Sequence, residues 1–145
     1  MTPQGPNPYL RTKILTASPE ELRLMLYEGA IRFCRQALPA LQSKNFEASY
    51  NALMRAQKIV LELSTSLNPD VAPDLCERLG ALYTYIYRKL VDANLERKPE
   101  LVSEALRLLE YEKETWQMLM KKLVQGDTNL SGAQQTAMSS LSTRG

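Results

Sequence analysis

Cys34, Cys76 and the carboxylates Glu62, Glu77, Glu104 and Glu110 are the side chains of this chain that could act as nucleophiles, acids or metal ligands. Their company argues against all three roles. Histidine is absent, which removes Ser-His-Asp and Cys-His nucleophilic pairs, the Glu-x-x-His ligand sets of di-iron bundles, histidine-ligated haem and phosphohistidine relays. Two thiols are too few for a thiolate metal cage, and their spacing matches no redox motif, so both read as buried free cysteines. The four glutamates fall on faces that helical periodicity leaves to solvent, whereas a general acid or base needs an apolar pocket. The chain is therefore expected to be no enzyme, with no cofactor and no metal.

Charge narrows the partners. With 18 basic and 16 acidic residues the net charge is +2, which creates no field that would recruit nucleic acid or an anionic membrane. The densest basic spot, Lys121 and Lys122, suits the carboxyl end of a helix, where cations meet the negative pole of the dipole. The opening MTPQGPNPYLRTK lacks the apolar run of a signal peptide, and nothing approaches the roughly 18 apolar residues of a membrane span. A cytosolic protein without membrane insertion is expected.

The elements behind these residues are helical. Ser18 stands before Pro19 and three residues before Glu21, the pattern of a capping box with proline at the first helical position. From there Leu22, Leu26, Ala30, Phe33, Ala37 and Leu41 recur at steps of three and four, and a second row runs Leu24, Tyr27, Ile31, Cys34 and Leu38. Gly29 inside this helix costs about 1 kcal/mol against alanine, which close approach of another backbone would explain. The stretch LGALYTYIYRKLVDAN, 79–94, behaves alike: Leu75, Leu79, Leu82, Ile86, Leu90 and Ala93 form one row, and Tyr83, Tyr87 and Val91 the next. Two apolar rows on one helix fit either a central place in a bundle or a stripe facing a partner.

Four long helices are predicted: Pro19 to Ser43, bent by Pro39; a second capped by Asn45 and ending near Asn68 before Pro69; a third from Pro73 to about Lys98; and a fourth from Pro99 or Glu100 towards Gly126. Similar lengths and short connections predict an all-α fold, an antiparallel up-down-up-down four-helix bundle with an N-terminal capping segment and a flexible C-terminal tail. One domain, 1–125, is expected, with 1–17 as tail and cap segment. Residues 126–145, small and polar, are expected to be disordered.

The segments ASPEELRLMLYEGA, AQKIVLEL, LGALYTYIYRKLVDAN and LLEYEKETW stand in the order and spacing of the flagellar export chaperone family FliS, the cytoplasmic chaperones of flagellin. The chain resembles that family from about Tyr9 to Leu123. It departs at Glu28, where the family usually has Asp, and at 68–73, where the family often has paired glycines. The resemblance implies an export chaperone that binds the C-terminal amphipathic region of flagellin, prevents premature polymerisation and aggregation, and supports export by the flagellar type III secretion system. Implied partners are flagellin and components of the export gate, with a monomer or weak homodimer as the free form. The resemblance also implies that the segment before the first long helix, with Tyr9, Leu10 and Ile14, is a lid over the client surface; permanent core is the competing reading of Tyr9 and Ile14. The second rows nominate the groove residues Met25 and Tyr27 on the first long helix and Tyr83, Ile86, Tyr87 and Leu90 on the third. A structural or adaptor bundle that self-associates through its extra apolar face is the alternative function.

Overall fold

Proline opens four of the five helices among the described residues: α1 (Pro8–Thr16), α2 (Pro19–Gln42), α4 (Pro73–Glu96) and α5 (Pro99–Val124), with α3 (Phe46–Thr65) the exception. At the first helical position proline loses nothing, because its missing N–H would have had no intrahelical acceptor. The computed structural model describes residues 7–70 and 72–124, and among these the fold is all-helical, without strands. The expected tail, 126–145, and the terminating Gly126 lie outside the described residues.

Local signals set the boundaries. Ser18 accepts from the Glu21 amide at 3.2 Å while the Glu21 carboxylate accepts from the Ser18 amide at 3.3 Å, so the capping box forms as its sequence demands. Asn45 accepts from the Ala48 amide and starts α3. Asn7 does the same for Tyr9 and starts α1, a helix where sequence reading expected only an apolar patch. α2 continues through Pro39 to Gln42. α3 closes at Thr65, short of the predicted Asn68, with Ser66 as its C-cap. α4 stops at Glu96 because Arg97 takes the left-handed conformation, φ 56°, with its guanidinium 3.9 Å from the centre of the Phe46 ring.

The four longer helices close into a ring of contacts in which α2 packs on α3 and α5, and α4 packs on the same two. Tyr27, Ala30, Ile31, Cys34, Ala37 and Leu41 of α2 meet Leu53, Ala56, Val60 and Leu63 of α3, Tyr83, Ile86, Leu90 and Ala93 of α4, and Val102, Ala105, Leu109 and Trp116 of α5 in one buried cluster. Cys34 lies in this cluster, and burial pushes its thiol up to about 12, out of reach of nucleophilic use.

One charged residue enters the core. Arg23 is 2 % exposed and donates to the Leu63 carbonyl at 3.0 Å, the Ser66 hydroxyl at 3.1 Å and the Tyr83 hydroxyl at 2.9 Å. The Tyr83 and Tyr27 hydroxyls are 2.5 Å apart, and burial together with the neighbouring Tyr83 raises the Tyr27 pKa. The guanidinium also lies 5.8 Å from the Trp116 ring, whose indole N–H donates to the Glu20 carbonyl at 2.9 Å. A single side chain of α2 thus touches α3, α4 and α5.

Two consequences can be measured. Tyr83→Phe keeps the ring but leaves Arg23 and Tyr27 short of a buried partner, so urea denaturation should show a loss of about 1–3 kcal/mol; no loss would mean that the hydroxyl is dispensable. Glu112, half-buried on α5, has its pKa raised by burial, against a smaller lowering by Arg23. A carboxyl raised in the fold contributes stability fully below its ordinary 4.5 and loses it as pH climbs through the folded value. Glu112→Gln should therefore raise the melting temperature near pH 7 and leave it unchanged below about pH 4.

Candidate functional site

A groove remains on the outside of the α2–α3 pair, and α1 lies across it. Its cavity, about 460 Å³, is walled by Leu22, Met25, Leu26 and Gly29 of α2, Ile59 of α3, and Leu10 and Ile14 of α1. Lys13, Glu28, Arg32 and Glu62 also line it. The floor is apolar because the α2 residues that flank its core stripe face outwards here, half-buried instead of enclosed.

Gly29 lets Ile59 of α3 approach α2 closely at the groove. It is buried, and a Cβ built on it would come within 3.1 Å of the Ile59 Cδ1 methyl, so the close approach expected at this glycine is made by a side chain of the neighbouring helix, not by backbone. α1 itself is held loosely. None of its residues is buried, and Leu10 and Ile14 stay 42 % and 45 % exposed. Full burial of such a side chain is worth about 1.5–3 kcal/mol, so each contributes roughly half of that. A nine-residue helix has little stability of its own in water. Tyr9, 75 % exposed, does not line the groove.

The six nominated groove residues separate in space. Met25 lines the groove beneath α1. Tyr87 lines a recess of about 100 Å³ between α3 and α4, beside Leu61, Ser64 and Thr84. Tyr27, Tyr83, Ile86 and Leu90 belong to the core, at 2 % exposure for Tyr27 and 0 % for the others. For the two tyrosines the reason is a buried polar chain: the Arg23 guanidinium donates to the Tyr83 hydroxyl, which in turn pairs with the Tyr27 hydroxyl, so both rings turn inwards. The groove residues that sequence reasoning missed are Leu22, Leu26 and Ile59, which belong to rows taken as core. Gly29 between them was the available signal.

A helical ring with an apolar groove half-covered by its own first helix is the class that this geometry defines. The chain matches the family of Flagellar protein FliS over residues 2–123, and it belongs to that family. Among similar proteins, the flagellar secretion chaperone FliS of Bacillus subtilis (strain 168) is 38% identical over 96 residues, 66% of this chain and 71% of that protein. The flagellar secretion chaperone FliS of Campylobacter jejuni is 30% identical over 110 residues, 76% of this chain and 86% of the other. That of Escherichia coli (strain K12) is 28% identical over 119 residues, covering 80% and 88%. A solved structure, described as the crystal structure of a flagellar chaperone from bacteria, shares the fold with a TM-score of 0.68 at 21% identity, covering 79% of this chain and 95% of that one. Among the described residues, no helix is long and apolar enough to cross a membrane.

Gly29→Ala tests the floor of the groove. Alanine gains up to about 1 kcal/mol of helix propensity, and the Ile59 methyl can yield into the adjoining cavity, so thermal denaturation should show a stability equal to or above that of the parent. A marked loss would show that Ile59 is fixed where it stands.

Proposed function

We propose that this chain is a cytosolic, non-catalytic export chaperone whose α2–α3 groove receives an amphipathic helix of the flagellin C-terminal region. The observation that carries the proposal is the groove itself, apolar on its floor and covered, among the described residues, by a helix with no buried residue. Membership of the FliS family supplies the secretion context, and the relatives named as flagellar secretion chaperones support the export role. On this reading one domain, 1–125, runs up-down-up-down as an antiparallel four-helix bundle. The pairing of Arg23 with Leu63 and Ser66, and of Gly29 with Ile59, favours opposite directions for α2 and α3.

The physical logic is replacement. A filament subunit in the cytosol has amphipathic segments whose apolar stripes have no partner until polymerisation, and an unpaired stripe aggregates or polymerises early. A helix laid in a groove hides its stripe through buried anchors at about 1.5–3 kcal/mol each, less an ordering cost of about 2–5 kcal/mol for a previously disordered segment. Leu10 and Ile14 hold the same site in the free chain, so α1 acts as a lid that limits exposure of apolar surface. Met25 lies under that lid. The free form is a monomer or weak dimer, and components of the export gate are further partners.

The test titrates the full chain with a peptide from the C-terminal helical region of flagellin. A one-to-one complex with a gain of helical circular dichroism supports the proposal, and deletion of residues 1–15 should tighten it while promoting self-association of the free protein. A concentration-dependent dimer with no peptide binding at high micromolar concentration would overturn it in favour of an adaptor bundle.

A further inference from the structure

The α2–α3 groove ends in an unusual arrangement of charge. Arg32 of α2 lines the groove, and its guanidinium carbon lies 5.1 Å from the centre of the Phe33 ring. Arg55 of α3 approaches the same ring to 5.5 Å. Both arginines are exposed. The ion pairs among the described residues are Arg35 with Glu110, Lys89 with Glu104 and Lys98 with Glu96, so neither guanidinium is within ion-pair distance of a described carboxylate. Two like charges are gathered at one aromatic ring, each attracted to it by about 0.5–1 kcal/mol at an exposed site; Arg32 lines the trough, and Arg55 stands one helical turn along α3 from the lining residue Ile59.

The helix that now covers the groove cannot complement them. α1 reads PYLRTKILT, with Arg11 and Lys13 and no acidic residue, and Lys13 itself lines the groove. Glu28 and Glu62 line it too, without an ion pair to either arginine, so a new acidic group gains most at the Phe33 end and least beside them. A guanidinium presents a planar fork of donors that matches a carboxylate. Covering the trough with a second helix would also exclude water and strengthen the attraction.

We infer that Arg32 and Arg55, held on Phe33, are a specificity device that selects a client helix carrying a carboxylate-bearing turn at one end of its apolar stripe, and that disfavours the chain's own cationic α1 as the groove's occupant. This rests on the reading of the groove as a client site. The apolar floor accepts any stripe of suitable shape; the arginine pair accepts only one charge pattern and one direction of lying in the groove.

The experiment uses the full chain and three amphipathic helical peptides of about 20 residues that share one leucine–isoleucine stripe. One has a Glu-Glu turn at its amino end, one has the same turn at its carboxyl end, and one has Gln-Gln at both. One of the two acidic peptides should bind about fivefold more tightly than the neutral one, with the gain shrinking as salt rises. In Arg32→Gln and Arg55→Gln, both surface changes that leave the core intact, the gain should fall away, whereas Arg35→Gln should keep it. Equal affinity for all three peptides, or a gain that survives both groove substitutions, would overturn the arginine pair and leave the groove reading standing. Failure of all three peptides to bind would overturn both.

Discussion

The buried guanidinium of Arg23 is the constraint on which the rest of this molecule depends. Removing a charge from water costs several kcal/mol unless its donors are met, and here they are met by the Leu63 carbonyl, the Ser66 hydroxyl and the Tyr83 hydroxyl. Leu63 belongs to the last turn of α3, where carbonyls lack intrahelical partners and the helix dipole is negative. One cation therefore satisfies the end of α3 and turns Tyr27 and Tyr83 inwards. It also lies against the indole that ties α5 to the start of α2. The rotation of α2 about its axis follows from these contacts, and so does the outward direction of Leu22, Met25 and Leu26.

That rotation links the core to the proposed function. With Tyr27, Ile31 and Cys34 committed to the interior, the adjacent α2 row of Leu22, Met25 and Leu26 stays only half-buried and forms the groove wall with Ile59. The surplus apolar surface is a consequence of the polar network rather than a separate design. Covering it with α1 lowers exposure without burying any α1 residue, which on the proposed reading leaves the cover weak enough to exchange.

Helix starts were legible because they depend on residues next to one another: Ser18 with Glu21, Asn45 with Ala48, and the prolines at first positions. The all-helical class followed from the same local patterns, and the family from four motifs in register. The inward face of α2 and α4 was not legible. A tyrosine has an apolar body and a polar tip, so it suits a groove or a core, and what decides is whether its hydroxyl finds a partner. The partner of Tyr83 is Arg23, distant in sequence and joined to it only by the tertiary fold. α1 escaped for a different reason: its apolar residues come as the neighbours Tyr9–Leu10 and Ile14–Leu15 instead of one stripe, and Asn7 with Pro8 mark a start without a periodic run behind it.

The capping box at Ser18 has a consequence for access. It pins the first turn of α2, with Ala17 and Ser18 alone between the two helices, so α1 is a short arm on a fixed pivot. Wherever it swings, it cannot leave the neighbourhood of the cavity. Such a tether gives an effective local concentration on the order of millimolar, constant whether the cell holds many copies of the protein or few. On the proposed reading of the groove, a guest would have to outcompete that standing rival to enter. On that reading the arm lowers a guest's apparent affinity by one constant factor, so that loading and release stay reversible and respond only to the guest's own concentration.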